Sequence, residues 1–213
     1  LMIRRPSRST LDRSSAASDV YKRQLMDTLK VSSLSENFKL VKEQHFNIRL
    51  HDHGLLRLIP LSVDPELLKM TDKFFFHTLV NSQAYKEMFF DHFSQKSVDK
   101  HGPFLLDSIK EDDFTSITNS HLREEIIQVV STPKWSCPPI GKRELTNVKK
   151  LLDTIINDES EPYFLKKCLT FNSSSQEATV YEHEWSHSLT SYYEYVLKDA
   201  INKKIFLLII TYE

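Results

Sequence analysis

Glycine is nearly missing from this chain. Gly54, Gly102 and Gly141 are the three in 213 residues, against an ordinary share of ~7%. A Gly-rich phosphate loop and a dinucleotide fingerprint both need close backbone approach or positive φ at several positions. Three scattered glycines supply neither, so the common nucleotide-dependent enzymes have no foothold here. Cysteine is almost as scarce. Cys137 and Cys168 form no C-x-x-C pair, which points away from a secreted disulfide scaffold and toward an intracellular protein with free thiols, cytoplasmic by expectation. Long apolar runs are absent too. The longest, Ile205 to Ile210, falls far short of the ~20 residues that cross a bilayer, so no membrane association is expected.

What is present suffices for a folded interior. Forty per cent of the residues are apolar and 13 are Phe, enough for one sizeable core. Residues 1–24 stand apart: they are rich in Arg and Ser and poor in acid, the composition of a transit peptide. The stretch LMIRRPSRSTLDRSSAASDVYKRQ also closely resembles translated sequencing-adapter read-through, and that resemblance implies a non-native extension with Met26 as the start. Six of the 28 Lys/Arg and two of the 29 Asp/Glu fall in it, so the remainder carries 22 basic against 27 acidic residues, a net of −5. A mildly acidic domain leaves no footprint for nucleic acid.

The chain from 26 to 213 reads as a single α+β domain: a small mixed β-sheet packed against five or six helices. Phe46 to Leu50 alternates apolar and polar residues, His51-Asp-His-Gly54 marks a turn, and Leu55 to Leu61 follows, together a β-hairpin. His51 and His53 belong to a solvated turn rather than a metal site. Asp64-Pro65-Glu66 starts a helix expected to run to about 80, and Ser82 caps a second through about 94. Their Phe-rich faces are core in character. Phe104 to Ile109 is a short helix candidate, Glu111-Asp112-Asp113 a solvated acidic turn, and Asn119-Ser120 caps a helix to about 130. Thr132 to Gly141 is a Pro-rich loop. Lys142 to Asn157 is amphipathic, with Leu145, Val148, Leu151, Leu152, Ile155 and Ile156 on its buried side and a solvated basic face of Lys142, Arg143, Lys149 and Lys150. Tyr163 to Phe171 has strand character. Tyr192 to Ile201 reads as helix, Asn202-Lys-Lys204 as its end, and Ile205 to Tyr212 as a central strand covered on both faces.

One run spells out chemistry: His183-Glu184-Trp185-Ser186-His187. On a helix, histidines four apart face the same way and can hold one zinc ion, with the intervening Glu as general base. Val180, the uncharged Trp185, Ser186 and Ser188, and the apolar Leu189 extend the resemblance to zinc-dependent metallopeptidases. That resemblance implies His183 and His187 as zinc ligands, with Glu184 deprotonating the zinc-bound water. A third ligand is missing. Glu194 lies seven residues past His187, ~10 Å along a helix axis, and Asp199 further still. A late histidine motif with an upstream cysteine also resembles the peptide deformylases, but Ser136-Cys137-Pro138 does not match their cysteine motif. The stretch 178–186 suits a helix and a strand equally well. With no complete catalytic set, the expectation is an interaction module that engages a protein partner and needs no cofactor. The alternative is a zinc metallohydrolase built on His183, Glu184 and His187, and a thiol enzyme on Cys137 or Cys168 comes third.

Overall fold

The structure is a computed structural model that describes residues 37–41, 45–51, 53–86, 90–91, 96–97, 100–132, 139–168 and 189–212. The N-terminal extension, most of the Pro-rich loop and the H-E-x-x-H run lie outside the described residues.

Strands β1 (Phe38–Leu40), β2 (Phe46–His51) and β3 (Gly54–Val63) open the chain. The expected hairpin is present, with Ile48 and Leu50 buried while Asn47 and Arg49 face solvent. Gly54 closes its turn for a steric reason: a Cβ there would stand 2.7 Å from His51 Nε2 and 2.8 Å from Tyr212 Cε1. Along one edge β3 pairs first with β2 and then with β1. Pro60 sits where that partner changes, and its carbonyl accepts the Val41 N–H at 3.1 Å. A strand residue's N–H and C=O point to the same side, so the donor that proline lacks falls in the gap between the two edge strands.

Helices α1 (Pro65–Leu68), α2 (Asp72–Asn81) and α3 (Gln83–Lys86) follow. The single helix expected to about 80 is two. Asp64 caps the first, accepting the Glu66 N–H at 2.9 Å. Thr71 then takes extended backbone and caps the second through Phe74 N, the kind of cap that Thr-Asp offers. Ser82 does cap α3, its Oγ accepting Tyr85 N–H at 3.2 Å. That helix is described over Gln83–Lys86 and does not reach about 94, because β4 (Phe90–Asp91) and β5 (Lys96–Ser97) pair antiparallel. A second small hairpin joins β6 (Lys100–His101) to β7 (Phe104–Leu105). The helix candidate at 104–109 is therefore a strand end followed by a single 3₁₀ turn, Leu106–Ser108. Another 3₁₀ turn, Glu111–Asp113, forms the acidic corner.

Strand β8 (Phe114–Ser116), helices α4 (Asn119–Ser131) and α5 (Lys142–Ile155) and strand β9 (Ser160–Leu165) come next. In α5, Val148, Leu152 and Ile155 are buried at i, i+4 and i+7, as its periodicity requires. The last two strands are β10 (Ser191–Asp199) and β11 (Lys204–Tyr212). The expected helix over Tyr192 to Ile201 is overturned by β10. Ser-Tyr-Tyr-Glu-Tyr-Val-Leu is rich in aromatics and buried on both faces, so its apolar residues fall at i, i+3 and i+4 by coincidence and hide the period of two. Asn202 and Lys203 belong to the β10–β11 turn, where Lys203 takes φ 53°.

The class is α+β. One sheet of seven strands runs β1-β3-β11-β10-β9-β8, with β2 beside β3. Where a mixed sheet was expected, every described ladder is antiparallel. Among the described residues five helices pack on it. Strand β11 is central and covered on both faces, as its apolar run implied. Ile205, Leu207 and Ile209 join the layer under α1–α3. Leu208, Ile210 and Tyr212 join the layer under α4 and α5. Among the described residues no helix is long and apolar enough to cross a membrane.

Candidate functional site

His183, Glu184 and His187 lie outside the described residues, as does Cys137. What the structure does fix is the fate of the ligands weighed around them. Residues 191–199 are strand, so Glu194 is not seven helical positions beyond His187. It faces into the protein and is fully buried. Asp199 is spent on its turn, accepting from Asn202 N at 3.1 Å and Asn202 Nδ2 at 2.7 Å. His51 stacks on Tyr212 with ring centroids 5.2 Å apart and accepts the His53 N–H through Nδ1 at 3.0 Å, while His53 is exposed. Among the described residues no group of three or more His, Cys, Asp or Glu is placed to hold a metal ion.

Two polar centres lie on one face of β10. The first surrounds Glu194. Its Oε1 accepts the Tyr85 hydroxyl at 2.8 Å, and its Oε2 accepts the Tyr192 hydroxyl and His101 Nε2, each at 2.6 Å. All four residues have no solvent exposure. Burial raises the Glu194 carboxyl, but the charge of His101 and hydrogen bonds from His101, Tyr192 and Tyr85 outweigh it and hold it below the usual carboxylate value. An ionised carboxylate only accepts, so Nε2 carries the shared proton. Burial, followed by the neighbouring Glu194 charge, pushes both tyrosine hydroxyls well above their ordinary value. The His101 ring stacks on Tyr85 at 3.7 Å. Gly102, at φ 57°, leaves room for the Tyr192 ring that any Cβ would overlap. This sealed quartet ties α3 and the β6–β7 hairpin to the middle of the sheet.

The second centre lies four residues along the same strand. Lys198 is 3% exposed. Its Nζ donates to Asp72 Oδ1 at 2.6 Å and to the Tyr163 hydroxyl at 3.2 Å, with Glu161 Oε2 at 3.7 Å. The ammonium also stands over the Phe75 and Tyr163 rings at 4.4 and 4.6 Å. Burial alone would raise the Asp72 carboxyl, yet the hydrogen bonds from Lys198 and Tyr163 lower it. A polar cleft of about 650 Å³ opens beside this group, between α1 and the β8–α4 turn.

The opposite face of the sheet is apolar. There an open groove of about 560 Å³ runs between α5 and the strands. Its walls are Leu151 and Ile155 from the helix and Phe46, Leu58 and Phe206 from β2, β3 and β11, with Asn147, Lys150 and Thr154 along the helical rim. Phe46 is 47% exposed, a large apolar ring left in water at the groove's lip.

No protein-family model, curated protein or solved structure matches the chain.

Neither polar centre was foreseen from sequence. Tyr85 and His101 lie 109 and 93 positions from Glu194, and no local pattern joins them. The signal that existed was a charged residue inside an otherwise apolar run, at Glu194 and again at Lys198. Charges in such positions need partners once buried.

Proposed function

We propose that this chain is a non-enzymatic, intracellular protein-interaction module that takes a peptide segment of its partner into the groove between α5 and the β2–β3–β11 face. The observation that carries this is the groove itself: apolar walls, an exposed Phe46 and a rim of helix side chains. Apolar clefts beside a helix are a recurrent way to seat an amphipathic segment. The polar centres are less suited to a partner, because Glu194 is sealed with its three donors and Lys198 already donates to Asp72 and Tyr163 within the fold. Peptide-display selection against the full chain tests the proposal. Selected peptides should lose binding to the Leu151→Asp variant and keep it for the cleft variant Lys69→Ala. Peptides that bind Leu151→Asp as well as the parent would refute it.

The His183-Glu184-Trp185-Ser186-His187 spacing favours a second reading, a zinc metallohydrolase with Glu184 as base. Its test is the metal content of the purified chain. Stoichiometric zinc that disappears in both His183→Ala and His187→Ala would support it, and zinc content indifferent to those changes would dismiss it.

A further inference from the structure

Accepting the groove as the docking site, we infer that its occupant is an acidic amphipathic peptide, with apolar anchors on one side and carboxylates beside them. The inference comes from the charges around the groove. Its lining includes Lys150 and no acid. Arg143, Asn147, Lys150 and Thr154 follow one another at spacings of four, three and four, so they form one stripe along α5. Arg143 and Lys150 are both exposed, and among the described residues neither the Arg143 guanidinium nor the Lys150 ammonium takes part in an ion pair or hydrogen bond.

Asp153, one of the helix's two acids, is turned to α4, where it holds Arg123 Nη1 at 2.6 Å, and the other, Glu144, folds back over Gly141 at the helix start. A basic stripe on α5 therefore borders one side of an apolar floor. The rest of the chain balances its charges differently: beyond residue 24 it is net acidic, at −5.

Seven residues of helix separate Arg143 from Lys150, about 10 Å. Two carboxylates span that distance when they are seven apart on a helical peptide or three apart on an extended one. A small apolar acid, such as a fatty acid, shares some of this chemistry. Small-molecule pockets, however, bury ~70–90% of their ligand, and this groove is open along its length.

The test uses three fluorescein-labelled 14-residue peptides with identical Leu anchors and Glu, Gln or Lys at the flanking positions. Anisotropy titrations on the full chain should rank Glu above Gln above Lys. The Glu peptide should bind about tenfold tighter than the Gln peptide at low salt, with the gap closing toward 0.5 M NaCl as screening shortens to a few ångströms, roughly. The double variant R143E/K150E should invert the order. Arg143 lies in the first turn of α5, so an acid there suits the helix dipole and the variant should fold. Equal binding of the Glu and Gln peptides, or an order unmoved by R143E/K150E, overturns the acidic-partner inference while leaving the groove reading standing if Leu151→Asp still abolishes binding. Binding that survives Leu151→Asp, or uptake of a fluorescent fatty acid by a chain that binds none of the peptides, overturns both.

Discussion

The two faces of this sheet are built on different terms, and β10 shows it within nine residues. Toward α1–α3 it presents Tyr192, Glu194, Val196 and Lys198, so two buried charges alternate with apolar side chains. Toward α4 and α5 it presents Tyr195 and Leu197, which join an apolar layer. On the first face a helix or hairpin can dock in one position, because Glu194 and Lys198 must meet Tyr85, His101, Asp72 and Tyr163. On the second, packing is mainly apolar, with the Tyr212 hydroxyl donating to Val129 O on α4 at 3.1 Å, and tolerates more displacement. Unmet polar groups cost more than imperfect apolar contacts. The charged face is therefore the one that holds the fold to a single arrangement, and the apolar face is where surface remains open for a partner.

Removing the Glu194 carboxylate should break the comparison most severely. Glu194→Ala strands three buried donors, and losing one partner of a buried charged set costs about 3–5 kcal/mol. Urea unfolding monitored by circular dichroism should show the midpoint collapse, whereas Leu151→Ala on the other face should cost about 1 kcal/mol or less. Similar losses at both positions would remove the distinction between the faces.

The same quartet sets a pH dependence. The folded Glu194 carboxyl is held below its ordinary 4.5, so its contribution is fully present above about pH 4.5 and is lost as pH falls through the folded value. Tyr85 and Tyr192 are raised above their ordinary 10.0. They therefore ionise first in the unfolded chain, and stability falls as pH rises past about 10. Stability measured from pH 3 to 11 should show both limbs, and Glu194→Gln should flatten the acid one. An acid limb unchanged by Glu194→Gln would assign it to other carboxylates.

Lys198 offers a milder break. Its partner Asp72 keeps a side chain 56% exposed, so water can solvate the carboxylate once the ammonium is gone. Lys198→Met keeps the aliphatic stem against Phe75 and loses the charged hydrogen bond, for an expected cost of about 1–2 kcal/mol. A loss as large as that of Glu194→Ala would mean the polar cleft is as sealed as the quartet.

Legibility in the sequence followed how local the cause was. The 46–61 hairpin, α5 and β11 declared themselves because their burial patterns repeat within a few residues. The break at Thr71 was written there too, as a capping residue before an acid, but the stronger Asp64-Pro65 start obscured it. Strand β10 did not declare itself, since burial on both faces erased the alternation that marks a strand. Glu194 consequently looked like a helix-surface carboxylate near the histidine motif. Its true partners come from α3 and β6, and only the folded sheet brings them together. The groove was hidden for the same reason: Phe46, Leu151 and Phe206 meet through tertiary packing alone.

The smallest effect on stability should come from the lip of the groove. Phe46 is 47% exposed and lies on β2, which pairs with β3 through backbone groups that a side-chain change leaves intact. Phe46→Ser should therefore alter unfolding free energy by no more than about 0.5 kcal/mol. If the groove is the docking surface, the same change should weaken a groove-bound peptide by about tenfold, because exposed aromatic anchors carry a disproportionate share of interface energy. A variant that is stable yet binds as tightly as the parent would move the docking surface away from β2. One that unfolds would mean that Phe46 anchors the edge of the sheet, and the two faces would then differ less than their side chains imply.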